Sequence, residues 1–272
     1  MNISLGLICL TVDEEWANPE VLADLRRMFD DRGLRATFFC TRQGVEVPGH
    51  ERALHPNFRR NGDTVRSLRS STGALPQDWT DGQVYAHVVE TTRGFCPEAK
   101  GIRGHSLFYD SELLPLYRKA GLEYDSSCSL PLMEGLRPIW KEYDILEFPV
   151  YYIDHFDLKS QRTGFELEGL RLNQPGLKVF DFHPNIVFIN AASDADYQAC
   201  RPFYHDYERL LKFRRPGRGA RTLLLELLDE VGERRLPTAT LAELNQLWRD
   251  EQQRAQMSGK NSSATDQQDK PI

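Results

Sequence analysis

Polar side chains that could do chemistry follow the ends of several apolar, strand-like segments of this 272-residue chain. They are carboxylates, imidazoles and a guanidinium group: Asp13, Glu14, His55, Arg103, His105 and His183. In parallel α/β folds the carboxyl ends of the strands meet on one side, and functional sites form there. Because several separate strands end in this way, packing alone explains the pattern poorly. We therefore expect these groups to share one site.

Each of these residues also has a plain structural interpretation. Asp13 and Glu14 could cap the helix that follows them. His55 and His183 could be buried histidines that need only a hydrogen-bond partner. Arg103 lies in a short apolar segment, where a buried guanidinium needs a carboxylate, and Asp13 is the natural candidate. The chemical interpretation therefore depends on the whole set.

Together the residue types match one reaction, the hydrolysis of an amide bond. A divalent metal held by histidine and carboxylate binds a water molecule, lowers its pKa and polarises a carbonyl oxygen. A second carboxylate takes the proton of the water, and a histidine on the opposite side protonates the leaving amine. The set predicts a hydrolase that uses a metal and an acid–base pair.

The elements that must position these groups alternate between strands and helices. Apolar runs predict strands at residues 4–12, 35–41, 50–55, 101–103, 122–127, 145–152 and 177–183. Amphipathic spacing predicts a helix from Pro19 and others at residues 79–93, 110–120, 221–231 and 240–252. This alternation favours an α/β fold with a mostly parallel sheet, and it leaves open whether the sheet is a barrel or an open one.

Composition and charge exclude several other classes of protein. The net charge of −6 gives no reason to expect a nucleic-acid partner. No segment has the apolar length of a membrane span. No basic residue precedes the apolar start of the chain, which predicts a buried strand and a cytoplasmic location rather than a signal peptide. The five cysteines form no CxxC pair, so neither a disulfide framework nor a zinc–thiolate site is indicated.

The domain organisation follows from the distribution of apolar residues. Residues 1–256 are expected to form a single domain. Residues 257–272 are polar and contain no aromatic residue, so we expect a disordered tail there.

In order along the chain, the motifs resemble those of the polysaccharide deacetylases, carbohydrate esterase family four, also called the NodB-homology family. The resemblance runs from Leu10 to about Glu243. It rests on T-V-D-E, H-E-R-A-L-H, R-G-H-S-L, G-L-E-Y-D-S-S and T-L-A-E-L, at residues 11–14, 50–55, 103–107, 121–127 and 240–244. It implies a distorted (β/α) barrel with seven strands and the activity of a sugar N-deacetylase.

The same resemblance assigns roles to single residues. Asp13 would be the catalytic base, Arg103 would orient it, and His183 would be the general acid. Glu14 and His55 would be metal ligands. One divalent ion is implied, with zinc as the first expectation and iron, cobalt or nickel as alternatives.

Two positions depart from the pattern of the family. Arg59 stands where the second metal-binding histidine is expected, and His105 stands where proline is usual. The third ligand is therefore open among His105, Asn57 and His50, and His105 is the one we predict.

The H-P-N-F and F-H-P-N segments resemble a branch of the family that is linked to surface-polysaccharide gene clusters such as those for O-antigen. This implies an N-acetyl sugar, nucleotide-linked or lipid-linked, as the substrate. Two alternatives remain: a metal-independent amidohydrolase on the same barrel, and a catalytically inactive protein that binds carbohydrate. The identity of the sugar and the oligomeric state do not follow from the sequence.

Overall fold

The computed structural model describes residues 6–62, 64–66 and 79–265, and it describes side chains as far as residue 255. Nine strands form one sheet. They are β1 (Leu7–Asp13), β2 (Thr37–Cys40), β3 (Glu51–Leu54), β4 (Gly101–Ile102), β5 (Tyr124–Asp125), β6 (Ile139–Lys141), β7 (Ile145–Glu147), β8 (Val150–Ile153) and β9 (Leu177–Phe182). Their order is β6-β7-β5-β4-β3-β2-β1-β9-β8, and only the pair of β6 and β7 is antiparallel.

The two ends of this row of strands are joined by the chain itself. Strands β7 and β8 are separated only by Phe148 and Pro149, and they pair with β5 on one side and with β9 on the other. One bent stretch of chain therefore belongs to both sides of the sheet. If β7 and β8 are counted as one strand and the antiparallel β6 is left out, the sheet has seven parallel strands. The predicted distorted (β/α) barrel is confirmed.

Helices follow most of the strands and cover the sheet. They are α1 (Pro19–Asp30), α2 (Asp81–Arg93), α3 (Leu113–Lys119), α4 (Asp154–Ser160), α5 (Pro184–Phe188), α6 (Asp194–Cys200), α7 (Tyr207–Lys212), α8 (Ala220–Glu233) and α9 (Leu241–Thr265). Helix α1 shows why the sequence folds in this way. The side chain of Asn18 accepts a hydrogen bond from the Glu20 N–H and caps the helix. Pro19 occupies the first turn, and the apolar side chains at helical spacing are buried.

The start of α9 joins the amino ends of three strands. The Ala239 N–H donates to the carbonyl oxygen of Ile8, which lies in β1. The Leu241 N–H donates to Thr37 Oγ1, and the Ala242 N–H donates to Glu51 Oε2. The predicted last helix therefore closes the end of the barrel opposite the strand ends that carry the predicted site.

The structure differs from the prediction at the end of the chain. Helix α9 runs to Thr265, so the first part of the predicted tail is helical. Residues 251–257 are strong helix formers, and no proline occurs between the start of α9 and Pro271. The helix therefore has no signal to stop at residue 256. Residues 266–272 lie outside the described part of the chain, and the single domain over residues 1–256 stays a prediction. No helix that the structure describes has the length and apolar character of a membrane span.

Candidate active site

The predicted side chains lie at the carboxyl ends of four strands in one run of the parallel sheet. Asp13 is the last residue of β1, and His55, Arg103 and His183 directly follow β3, β4 and β9. All four are buried. Since β4, β3, β1 and β9 lie within one run of the parallel sheet, their carboxyl ends place these groups at the same rim.

Arg103 lies at the centre of this rim and is fully buried. Its Nη1 donates to Asp13 Oδ1 at 2.8 Å, to Asp181 Oδ1 at 2.7 Å and to Thr11 Oγ1 at 2.9 Å. Its Nε and Nη2 donate to the carbonyl and hydroxyl oxygens of Ser126, both at 2.9 Å. A buried guanidinium with this many partners is fixed in position and charge-balanced. The predicted contact between Arg103 and Asp13 is present.

Asp13 keeps one oxygen for chemistry. Its Oδ1 is held by Arg103, while its Oδ2 lies 3.5 Å from His55 Nε2. Burial acts to raise the pKa of Asp13, but the nearby imidazole of His55 and guanidinium of Arg103 outweigh it and hold the pKa below its usual value. The side chain is therefore an ionised carboxylate that can accept a proton through Oδ2.

Two histidines and a carboxylate meet beside Asp13. His55 Nε2 lies 3.2 Å and His105 Nδ1 lies 2.7 Å from Glu15 Oε1. The two imidazole rings meet edge to face, with their centroids 5.4 Å apart. One ligand atom from each of the three side chains lies within 4.8 Å of the others. We call Glu15, His55 and His105 the His–Glu–His cluster.

The cluster suits a divalent transition metal. His55 Nδ1 lies 2.9 Å from the carbonyl oxygen of Arg103, which can only accept, so Nδ1 carries the proton and Nε2 is free to bind a metal. His105 Nδ1 is buried and faces Glu15 Oε1 at 2.7 Å, so its ring turns a nitrogen towards the same point. Two imidazoles and a carboxylate that leave positions open are a donor set typical of zinc and of non-haem iron. Although burial acts to raise the pKa of Glu15, its hydrogen bonds with His105 and His55 hold it well below its usual value.

A second group of possible ligands fits a cation less well. Asp13, Asp181 and His183 also place ligand atoms within 4.8 Å of one another. However, the guanidinium of Arg103 already lies 2.8 Å from Asp13 and 2.7 Å from Asp181. That positive charge neutralises the carboxylates and would repel a second cation.

The structure differs from the prediction at Glu14, because its neighbour Glu15 joins the histidines instead. Glu14 is buried against the neighbouring loop, where Oε2 accepts from the Thr41 N–H and hydroxyl and Oε1 lies 2.9 Å from Arg42 Nη2. Successive side chains of a strand point to opposite faces, so Glu14 points away from Asp13. Glu15 and Trp16 then adopt left-handed conformations, with φ of 52° and 54°, and this turn brings Glu15 back towards the site.

The two other candidates for the third ligand do not join the cluster. His50 precedes β3, at the opposite end of that strand from His55, and contacts the Ala36 N–H and Asp30 at 3.1 and 3.0 Å. Asn57 Oδ1 accepts from the Arg59 N–H at 3.2 Å. Within the described residues, His105 is the candidate that meets His55, as predicted; its role as a ligand stays a prediction.

His183 is paired with a carboxylate that the sequence analysis missed. Asp154, the first residue of α4, lies 2.6 Å from His183 Nδ1 through Oδ1 and accepts from the His183 N–H at 2.9 Å through Oδ2. Burial alone would lower the pKa of His183, but the carboxylate of Asp154 raises it well above its usual value. His183 is therefore protonated near neutral pH. The signal for Asp154 was available, since it too is a carboxylate that directly follows an apolar strand.

Asp181 was missed as well, because it lies inside an apolar strand. Its Oδ1 accepts from Arg103 and Thr11, while its Oδ2 is buried and has no partner among the described residues. The pKa of Asp181 is raised to about 7, mainly because the carboxyl is buried. The guanidinium of Arg103 acts to lower this pKa, and the neighbouring Asp13 acts to raise it. Asp181 lies two residues before His183, and side chains two apart in a strand point to the same face. This spacing can be read from the sequence.

A cavity of about 630 Å³ opens on the site. It is lined by Glu15, Trp16, Thr41, Arg42, Thr64, Phe95, Tyr197, Arg201, Tyr204 and His205. On one side Trp16 packs edge to face on His105, with the ring centroids 5.5 Å apart. On the other side Tyr197 contacts His155 at 5.3 Å, and His155 contacts His183 at 5.5 Å. The cavity therefore adjoins the His–Glu–His cluster through Glu15, while Tyr197 and His155 connect its wall to His183.

Comparisons with known proteins agree with this architecture. The family of WbmS-like polysaccharide deacetylases matches residues 10–201. Among solved structures, the chain is similar to WbmS from Bordetella bronchiseptica, described as a polysaccharide deacetylase involved in O-antigen biosynthesis. The identity is 25% and the TM-score 0.67, over 82% of this chain and 90% of that one.

A second similar structure is a polysaccharide deacetylase from Mycobacterium smegmatis. Its identity to the chain is 15% and its TM-score 0.52, over 92% of each chain, and identity at this level shows the fold alone. Comparison with curated proteins finds no match.

Proposed function

Because the chain belongs to the WbmS-like polysaccharide deacetylases, we propose that it is a metal-dependent hydrolase that removes the acetyl group from an N-acetyl sugar. One observation carries the proposal. The His–Glu–His cluster lies beside the free oxygen of Asp13, and a protonated histidine, His183, stands at the same rim. A metal site, a base and an acid are the three groups that the hydrolysis of an amide requires.

The side chains divide the work of this reaction among them. A divalent metal bound by the His–Glu–His cluster would lower the pKa of water and polarise the amide carbonyl. Asp13 accepts the proton of the attacking water at Oδ2, because Arg103 occupies Oδ1 and fixes the carboxylate. His183 donates a proton from Nε2 to the leaving nitrogen, while Asp154 holds Nδ1. The products are acetate and the free amino sugar.

The substrate class and the metal are part of the same proposal. The similarity to WbmS supports a substrate that is a precursor of O-antigen or another surface polysaccharide. Its carrier, a nucleotide or a lipid, stays open, and a cytoplasmic location stays a prediction. Two imidazoles and one carboxylate favour zinc, with iron, cobalt and nickel as alternatives.

Metal analysis of the purified protein tests the proposal, with Glu15→Gln and the matched variant Glu14→Gln. We expect close to one metal per chain in the wild type, loss of the metal in Glu15→Gln and retention in Glu14→Gln. Retention of the metal in Glu15→Gln would refute Glu15 as a ligand. Absence of metal from the wild type, even after incubation with zinc, iron or cobalt salts, would favour a metal-independent amidohydrolase or an inactive homologue.

Acetate release from N-acetyl sugars tests the base. Asp13→Asn should lower kcat by at least about 100-fold, because it removes the proton acceptor but keeps the shape of the side chain. The metal content should stay unchanged. Activity equal to that of the wild type would contradict the role of Asp13.

A further inference from the structure

The cavity at the active site contains two arginines, Arg42 and Arg201, as well as His205. Its carboxylate, Glu15, is already matched by His55 and His105 at 3.2 and 2.7 Å. The charge of the arginines therefore decides which substrates the cavity attracts.

Arg42 is a fixed donor whose charge is balanced. Its Nη2 donates to the carbonyl oxygen of Ala17 at 2.6 Å and lies 2.9 Å from the buried Glu14 Oε1. The side chain is still 38% exposed. A guanidinium has five N–H groups, so donors remain for a ligand after these two contacts. The buried Glu14 thus holds Arg42 in the wall of the cavity.

Arg201 is an exposed cation whose charge is not balanced. Its Nη1 donates to the neutral Gln198 Oε1 at 3.3 Å, and among the described residues it forms no ion pair with a carboxylate. Two other arginines in this half of the chain, Arg215 and Arg221, are paired with carboxylates. Arg215 lies 2.6 Å from Asp196, and Arg221 lies 2.5 Å from Asp24. The cavity therefore offers one unpaired positive charge, at Arg201, and one fixed donor, Arg42.

We propose that the substrate carries an anionic group, a phosphate or a carboxylate, and that Arg201 binds it with Arg42 as a second donor. The proposal rests on the proposed function, because it names the substrate class of that same site. A cavity of about 630 Å³ has room for a sugar ring and one such group. Trp16, Tyr197 and Tyr204 supply aromatic surfaces that the ring can contact. Guanidinium groups suit both anions, because their N–H groups match phosphate and carboxylate geometry.

Steady-state kinetics on three probes tests the proposal: N-acetylglucosamine, N-acetylglucosamine 1-phosphate and N-acetylglucosaminuronic acid. In Arg201→Gln we expect kcat/KM for the anionic probe to fall roughly 10- to 100-fold, mainly through KM, as when a hydrogen bond to a charged group is lost. For the neutral sugar it should not change. A selective loss with the phosphate indicates a phosphate-linked sugar, and a selective loss with the uronic acid indicates an acidic sugar.

The matched control is Arg27→Gln in α1, which removes the same charge from a side chain that is 61% exposed and outside the cavity. It should leave all three values unchanged. An equal loss for all probes in Arg201→Gln, or no loss for any, would overturn the proposal.

Binding distinguishes a failure of this proposal from a failure of the proposed function. If no probe is hydrolysed, the proposed function is contradicted for these sugars, and calorimetry on Asp13→Asn still measures their affinities. Tighter binding of an anionic probe than of the neutral sugar, abolished by Arg201→Gln, supports the role of Arg201. Equal or undetectable binding of all three refutes it.

Discussion

At the scale of single residues, the pair of Asp154 and His183 controls the availability of the acid. Burial opposes a charged imidazole, and the carboxylate of Asp154, 2.6 Å away, more than compensates by raising the pKa of His183. A general acid must be protonated in the resting enzyme, and a raised pKa extends the pH range in which it is. On the alkaline side, the activity is therefore expected to fall when the pH rises through that raised pKa.

Asp154→Asn should move this fall to lower pH. The substitution removes the negative charge but keeps the shape of the side chain, so the pKa of His183 drops and the imidazole loses its proton earlier as pH rises. The measurement is the pH profile of kcat/KM for acetate release. His183→Ala should lower kcat by about 100- to 10,000-fold and remove this alkaline limb. An unchanged limb in Asp154→Asn would contradict the role of His183 as the acid.

Some residues of the site could be predicted from the sequence and others could not. Asp13, His55, Arg103 and His183 were predictable, because each stands where an apolar strand ends. Glu15 was not, since its place in the cluster depends on left-handed backbone at Glu15 and Trp16. No common sequence signal announces that conformation in residues other than glycine.

At the scale of elements, long apolar runs were easier to predict than short polar ones. Strands β1 and β9 are buried along their whole length. Strand β9 matches its predicted segment to within one residue, and β1 ends one residue beyond its own; residues 4–5 of that prediction lie outside the described part of the chain. Strand β6 was missed, because it has three residues and its Ile139 and Trp140 are exposed. Helices α4 to α7 have only five to seven residues each, too few for a helical period to show.

Gly101 provides a test of how closely β4, the strand before Arg103, packs against β5. A Cβ at Gly101 would lie 1.9 Å from ring atoms of Tyr124, which is fully buried. Gly101→Ala should lower the free energy of unfolding by about 1 to 3 kcal/mol, because the ring must move to make room. Denaturant unfolding measures this change.

Gly232→Ala in α8 is the matched control, since its Cβ would meet no atom within 4 Å. It should raise the free energy of unfolding by about 0.5 kcal/mol, because alanine favours a helix over glycine. Equal stability of the two variants would contradict the close packing of β4 against β5.

At the scale of the whole molecule, the start of α9 completes the barrel. The N–H groups of Ala239, Leu241 and Ala242 bind the amino ends of β1, β2 and β3. A chain that ends at Gln256 should keep the free energy of unfolding of the full chain to within about 0.5 kcal/mol. A chain that ends at Pro237 should fail to fold, because the buried side chains of Leu241 and Leu244 leave the core and Glu51 loses the Ala242 N–H. Denaturant unfolding of the two truncated chains and of the full chain measures these differences. A large loss of stability in the chain that ends at Gln256 would contradict a domain that ends at residue 256.

The pairing of β1 with β9 has a consequence for synthesis on the ribosome. Leu7 pairs with Leu177, about 170 residues later, whereas most neighbouring strands in the sheet are close in sequence. At about 5 to 20 residues per second, β1 waits roughly 10 to 30 s for its partner to be made. Asp13 lies on β1, while Asp181 and His183 belong to β9 and its end. The nascent chain therefore unites its base and its acid only after β9 has been made, and until then one edge of an apolar strand needs protection from aggregation.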